Sequence, residues 1–286
     1  MAELQDNNSR IEAALGKRPT RLSPLSGGCI AEIYRADFEN GDTLVAKFAG
    51  TEGDLTIEAY MLAYLAEHTE LPVPAVNHAS SDLLVMEYIE TAGGLNASAE
   101  RHAAELLAAL HSITGPAFGH ERDTLIGPLH QPNAQSASWL DFFREQRLLH
   151  MARVALDAGR LPAATMARIE ALAGRLGDWI EEPAQPTLIH GDMWGGNVLA
   201  RDGRIAGFVD PAIYHADPEI ELAFSTLFST FGEAFFQRYD EIRPIRPGFF
   251  ETRRELYNLY PLLVHVRLFG GGYLGGIEVT LSKLGC

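Results

Sequence analysis

Asp192, Asn197 and Asp210 are the residues of this chain whose types and spacing could do chemistry. They lie in Leu188-Ile189-His190-Gly191-Asp192-Met193-Trp194-Gly195-Gly196-Asn197 and in Phe208-Val209-Asp210. Two carboxylates and a carboxamide on loops at strand ends are what phosphoryl transfer from ATP requires. Asp192 would orient a substrate hydroxyl and accept its proton, a contribution of ~10²–10⁴-fold in rate. Asn197 offers a neutral oxygen and Asp210 a charged one, a hard donor pair that suits Mg²⁺. A plainer reading, in which the aspartates only cap turns, leaves the joint spacing unexplained. His190 reads as a structural residue that holds the loop rather than as a base.

Something must position these groups, and the N-terminal third supplies it. Ile30–Phe38 and Thr43–Phe48 read as strands joined by Glu39-Asn40-Gly41-Asp42, with Asn-Gly a hairpin signal. Asp54–Glu67 reads as a helix with Leu55, Ala59, Leu62 and Leu65 on one stripe. Glu58 falls on that apolar stripe, where a carboxylate is costly unless paired. Lys47 is its nearest partner in sequence, and the pair would hold Lys47 toward nucleotide phosphates. Leu83–Ile89 is an apolar strand whose end offers Glu87 and Ile89, through main-chain groups, to an adenine edge; an ordinary strand end would look the same. Gly27 and Gly28, in Ser26-Gly27-Gly28-Cys29, would let backbone N–H groups approach phosphates. Taken alone, two glycines before a strand read more simply as a turn.

These elements make residues 1–89 a small strand-rich lobe. Residues 90–286 read as a mostly helical lobe: Ser98–Ile113, Ser138–Leu156, Ala163–Ile180, Glu219–Phe231, Glu233–Tyr239 and Phe249–Phe269. A hairpin of Val198–Ala200 and Ile205–Val209 interrupts the helices. Gly115–Gln135 is loop-rich and reads as a substrate-facing insertion. The expected fold class is α+β.

The 286 residues carry 23 Lys plus Arg against 38 Asp plus Glu, a net charge of −15. No basic cluster breaks this acidity, so nucleic acid is not an expected partner. Cys29 and Cys286 are the only cysteines, which excludes a disulfide framework. No apolar run approaches the ~20 residues that span a bilayer, and the polar N-terminus lacks a signal-peptide core. The chain therefore reads as a soluble cytoplasmic protein with no membrane partner.

The spacing His-x-Asp-x-x-x-x-Asn is that of the kinase catalytic loop, with Gly191 where protein kinases carry Arg, and Val45-Ala46-Lys47 is similar to their lysine strand. The whole run His190–Asn197 resembles the His-Gly-Asp-Leu-Trp-x-Gly-Asn signature of the fructosamine kinase (ketosamine kinase) family. Gly27-Gly28-Cys29-Ile30, Asp210-Pro211-Ala212-Ile213-Tyr214, Glu219–Ala223 and Leu256–His265 resemble further segments of that family. The resemblance implies a bilobal protein-kinase-like fold related to aminoglycoside and choline phosphotransferases. It also implies ATP- and Mg²⁺-dependent phosphorylation of the sugar 3-hydroxyl of ribulosamine or fructosamine adducts, on small amines or proteins, as deglycation.

Two other readings stay open: transfer to another small hydroxylated amine, such as an aminoglycoside or choline, and a non-catalytic nucleotide-binding pseudokinase. In some members a loop cysteine is linked to redox control, so the resemblance leaves two readings of Cys29: a redox-dependent homodimer through it, or a small buried residue. Two departures stand out: Glu221 replaces the family's Asp, and Ala216-Asp217-Pro218 replaces Gly-His-Arg. The second removes a basic residue near the presumed site, which would shift substrate preference.

Overall fold

The computed structural model describes residues 2–25, 32–50 and 53–286. By contacts, residues 1–99 with 196–211 form one compact unit, and 100–195 with 212–286 the other. The hairpin that ends at Asp210 therefore groups with the N-terminal unit, unlike a single boundary at 89/90. Backbone hydrogen bonds explain this: Ala92 N–H donates to Ala200 O (3.1 Å) and Phe208 N–H to Pro72 O (2.8 Å).

The first unit opens with helix α1 (Ala2–Leu15) and strands β1 (Arg21–Pro24), β2 (Glu32–Asp37) and β3 (Thr43–Phe48). Helix α2 (Leu55–His68) and strands β4 (Val76–Ala79) and β5 (Leu83–Glu87) follow. The antiparallel sheet runs β1-β2-β3-β5-β4. Side chains alternate faces along a strand, and the sheet uses both. Ala46, Phe48, Leu83 and Val85 pack with Ile11 of α1, whereas Val45, Leu84 and Met86 pack with Leu55, Ala59 and Leu62 of α2. Lys47 lies two residues beyond Val45, so alternation turns it to the α2 side. Asp54 caps α2 by accepting from Thr56 N–H (3.0 Å).

The chain enters the second unit along α3 (Ala97–Leu110). It continues through β6 (Thr124–Ile126), β7 (Leu129–Gln131), α4 (Trp139–Phe142), α5 (His150–Asp157), α6 (Ala163–Ala173) and β8 (Thr187–Ile189). The hairpin β9 (Val198–Arg201) and β10 (Arg204–Phe208) belongs to the first unit. The second resumes with β11 (Tyr214–Ala216), α7 (Glu219–Leu227), α8 (Glu233–Ile242), α9 (Arg254–Phe269) and α10 (Leu274–Lys283). β8 pairs antiparallel with β11, Ile189 opposite Tyr214. α9 is the central helix, buried almost continuously from Leu256 to Val264 and packed on α5, α7 and α10.

The class is α+β, as expected. The helix expected over Ser138–Leu156 is interrupted by a π-helical segment, Phe143–Leu149, that joins α4 to α5. Helix α10 was hidden by the glycines at 270–272, 275 and 276. Glycine lowers helix propensity by about 1 kcal/mol per residue, and packing of Ile277 and Leu281 overrides it. No helix among the described residues is long and apolar enough to cross a membrane.

Candidate active site

In the first unit the structure brings together Lys47, Glu58 and Asp210. Lys47 Nζ donates to Glu58 Oε2 at 2.7 Å and to Asp210 Oδ1 at 2.9 Å. Burial alone would pull the Lys47 ammonium down, but Asp210 and Glu58 outweigh it and hold it above its ordinary value. Burial pushes the Glu58 carboxyl up, against the pull of Lys47. Two acidic side chains thus share one ammonium. Asp210 itself adopts a left-handed backbone, φ 52°, a conformation uncommon outside glycine. Asn197 is buried, and its carbonyl accepts from Val209 N–H at 3.1 Å, which ties it to the residue before Asp210.

At the end of β5, Glu87 N–H donates to Ala75 O (2.8 Å), and the Glu87 carboxylate accepts from Ala75 N–H (3.3 Å). The Ile89 side chain packs on Gly207 of β10, where a Cβ would lie 2.3 Å from its Cδ1. Gly27, Gly28 and Cys29 lie outside the described residues.

Asp192 belongs to the second unit, and its loop is fixed from behind. Gly191 has φ +88°, and a Cβ there would lie 2.1 Å from Ala212 O. That contact excludes the arginine found at this place in protein kinases. Ala212 N–H donates to His190 O at 2.7 Å. Glu221, at the start of α7, accepts from Gly191 N–H (2.6 Å), His190 N–H (3.2 Å) and His111 Nε2 (2.8 Å). Tyr239 hydroxyl closes the chain at His111 Nδ1 (2.7 Å). Burial would raise the Glu221 carboxyl, but the hydrogen bond from His111 and the neighbouring donors hold it below its ordinary value. It is thus a carboxylate aimed at the amides of His190 and Gly191, just before Asp192.

Sequence reading noted Glu221 only as a departure and missed His111 and Tyr239. A signal did exist, for Glu221 sits in the run Ile220–Ala223 where its neighbours are apolar, the argument already applied to Glu58. No local pattern points to His111, which meets Glu221 from the end of α3, or to Tyr239, which reaches His111 from α8.

Asp217 lies in the segment where the chain departs from the family. It is buried, ion-paired to Arg246, and accepts from Tyr257 hydroxyl (2.8 Å), which itself accepts from Trp139 Nε1 (2.9 Å). It also accepts from Glu219 N–H (3.0 Å) at the head of α7. Asp217 is therefore an internal anchor of this unit.

Beyond Asp192 stands an aromatic cluster. Trp194 meets Phe228 edge-on (6.5 Å between centroids), Phe228 meets His265 (4.8 Å), and His265 meets Tyr273 (4.9 Å). Phe228 and Phe269 are exposed. Pro261 O holds His265 Nδ1 at 2.7 Å, so that nitrogen carries the proton and Nε2 remains an acceptor.

A kinase-type lysine pair beside one aspartate and a second aspartate on a glycine-locked loop define a protein-kinase-like phosphotransferase, and the fold agrees. The fructosamine kinase family model matches residues 4–285, so the chain belongs to that family. A probable ketoamine kinase of Synechocystis sp. is 37% identical over 268 residues, 91% of this chain and 88% of that one. A chloroplastic protein-ribulosamine 3-kinase of Arabidopsis thaliana is 30% identical over 266 residues, 89% of this chain and 79% of that one. A solved structure from Thermobifida fusca, provisionally named a fructosamine-3-kinase, superposes with a TM-score of 0.84 at 29% identity, covering 96% of each chain.

Proposed function

We propose that the protein is an ATP-dependent ketosamine kinase that phosphorylates the sugar 3-hydroxyl of ribulosamine or fructosamine adducts, as a deglycation enzyme. The observation that carries this reading is the fixed Asp192 loop in a chain whose Lys47 is already clamped by Glu58. Asp192 orients the acceptor hydroxyl and takes its proton on a carboxylate oxygen as the oxygen attacks phosphorus in line. Lys47 contacts the nucleotide phosphates, with Glu58 limiting its side-chain freedom. Gly27 and Gly28 supply backbone donors to the phosphates, and Glu87 and Ile89 contact the adenine edge through main chain.

Asn197 and Asp210 fit Mg²⁺. Both offer hard oxygens, and the Asp210 carboxylate belongs to an ion-pair cluster with Lys47. Among the described residues no group of three or more His, Cys, Asp or Glu is placed to hold a metal; Mg²⁺ characteristically keeps waters and phosphate oxygens as its other ligands. When bound, the ion neutralises charge on the transferring phosphoryl group.

The aromatic cluster at Trp194, Phe228, His265 and Tyr273 suits a cationic, hydroxylated acceptor, since ring faces attract an amine cation. Rate then comes from positioning and charge stabilisation, with no covalent intermediate. The test is ATP consumption with matched ribulosamine, fructosamine, aminoglycoside and choline acceptors. Turnover with a ketosamine, abolished in Asp192→Ala while nucleotide binding persists, supports the reading. Turnover only with an aminoglycoside or choline overturns it, as does nucleotide binding without turnover on any acceptor.

A further inference from the structure

Gln131, in the loop-rich segment before α4, is fully buried at the end of β7. Its carboxamide is satisfied by three separate parts of the second unit. Nε2 donates to Ala212 O (3.1 Å) and to Thr124 Oγ1 (2.8 Å), and Oε1 accepts from Tyr260 hydroxyl (2.7 Å). Ala212 O is the same atom that a Cβ at position 191 would strike. Ala212 N–H, on the other side of that residue, holds His190 O. One residue, Ala212, therefore sets the path of His190 and Gly191 immediately before Asp192, and Gln131 fixes its carbonyl.

The segment around Gln131 is anchored in turn. Arg147, buried in the π-helical segment, donates to Pro132 O and to Asn133 Oδ1, each at 2.6 Å, and lies 3.8 Å over the Tyr214 ring. The first two bonds pin the two residues after Gln131. The stacking pins the strand that begins two residues after Ala212. A side chain that cannot both donate and accept at position 131 leaves buried groups of Ala212 and Tyr260 unmet, which is costly.

We infer that Gln131 is a positioning residue for Asp192, acting through the Ala212 carbonyl; this rests on the phosphotransferase reading above. Gln131→Glu tests it with almost no change of shape. One carboxylate oxygen still accepts from Tyr260, but the other faces Ala212 O lone pair to lone pair. Protonation turns that oxygen back into a donor, and a buried carboxyl beside a carbonyl titrates above its usual range.

The expected result at pH 8 is a kcat lower by roughly 10- to 100-fold, the scale of a misplaced catalytic group, with the KM for ATP unchanged. The ratio to wild type should climb back as the pH falls to 6. A constant ratio across that range in folded protein overturns the inference.

Amide hydrogen exchange over residues 188–194 separates this from the proposed activity. Faster exchange in Gln131→Glu than in wild type at pH 8 is expected whichever acceptor the enzyme uses, and equal exchange overturns the positioning role. If wild type turns over no ketosamine, the functional reading falls while the exchange result still decides the role of Gln131. Should Gln131→Glu fail to fold, Tyr260→Phe removes a single hydroxyl from the same network. It should speed exchange over 188–194, and no change there would be equally fatal.

Discussion

The chemistry of this protein is held in two different ways in its two units. In the first, charge holds charge: Lys47 is caught between Glu58 and Asp210 at 2.7 and 2.9 Å. In the second, the backbone before Asp192 is held by a glycine that admits no side chain, a carbonyl above it and a carboxylate behind it. Ion pairs tolerate small movements, because Coulomb attraction falls off slowly with distance. A backbone packed to 2.1 Å from a hypothetical Cβ tolerates none. The difference suits the tasks proposed for the two sets: holding a flexible phosphate chain, and placing one proton acceptor.

Gly191→Ala should break the comparison most visibly. Its φ and the contact with Ala212 O both oppose the new methyl, with backbone strain of about 1–3 kcal/mol. The kcat should drop by ~10²-fold or more, and the melting temperature should fall, while the KM for ATP holds. An alanine variant with wild-type kcat would show that the loop is not rigidly fixed.

Next in size is the lysine. Lys47→Met deletes charged hydrogen bonds worth about 1.5–3 kcal/mol each, so kcat/KM for ATP should fall by roughly 10- to 100-fold. Glu58→Gln keeps a hydrogen bond to Lys47 and should cost less than that, mostly in KM. Steady-state kinetics with varied ATP decides the order; a larger loss in Glu58→Gln would mean that charge, not orientation, is what Glu58 provides.

The smallest effect is a difference in pH response. His150, His215 and His265, all in the second unit, lie below the ordinary histidine value because burial disfavours their charged forms. Stability from a depressed pKa is complete above the unfolded value of about 6.5 and is lost as the pH falls through the folded values. Glu58 has the opposite sign: its raised carboxyl, at about 7, destabilises most above that pH, and the penalty is relieved as the pH falls. Between pH 7 and 5, exchange protection corrected for intrinsic rate should decline along α9 and hold or rise along α2. Parallel decline in both helices would contradict this.

Much of the first unit was legible because its determinants are local. The Asn-Gly turn placed β2 and β3, and an eleven-residue separation sufficed to pair Lys47 with Glu58. The two short flanking strands, β1 and β4, were not anticipated. They join the sheet by pairing with neighbours, which composition does not report. In the second unit, the residues that hold the Asp192 loop come from α3, α7, α8, β7 and the Ala212 turn. His111 and Glu221 are 110 residues apart in sequence, and nothing in either neighbourhood encodes the other.

By itself, the sequence determined which carboxylates, carboxamide and lysine are present and their kinase-type spacing, because residue type and short-range spacing are written directly in it. The tertiary structure alone decided how the Asp192 loop is braced and that Asp217 is an internal anchor. It also showed Gln131 and Arg147 binding the loop-rich segment into the core. Buried polar groups must find partners wherever the fold brings donors and acceptors together, and those meetings are set by long-range packing.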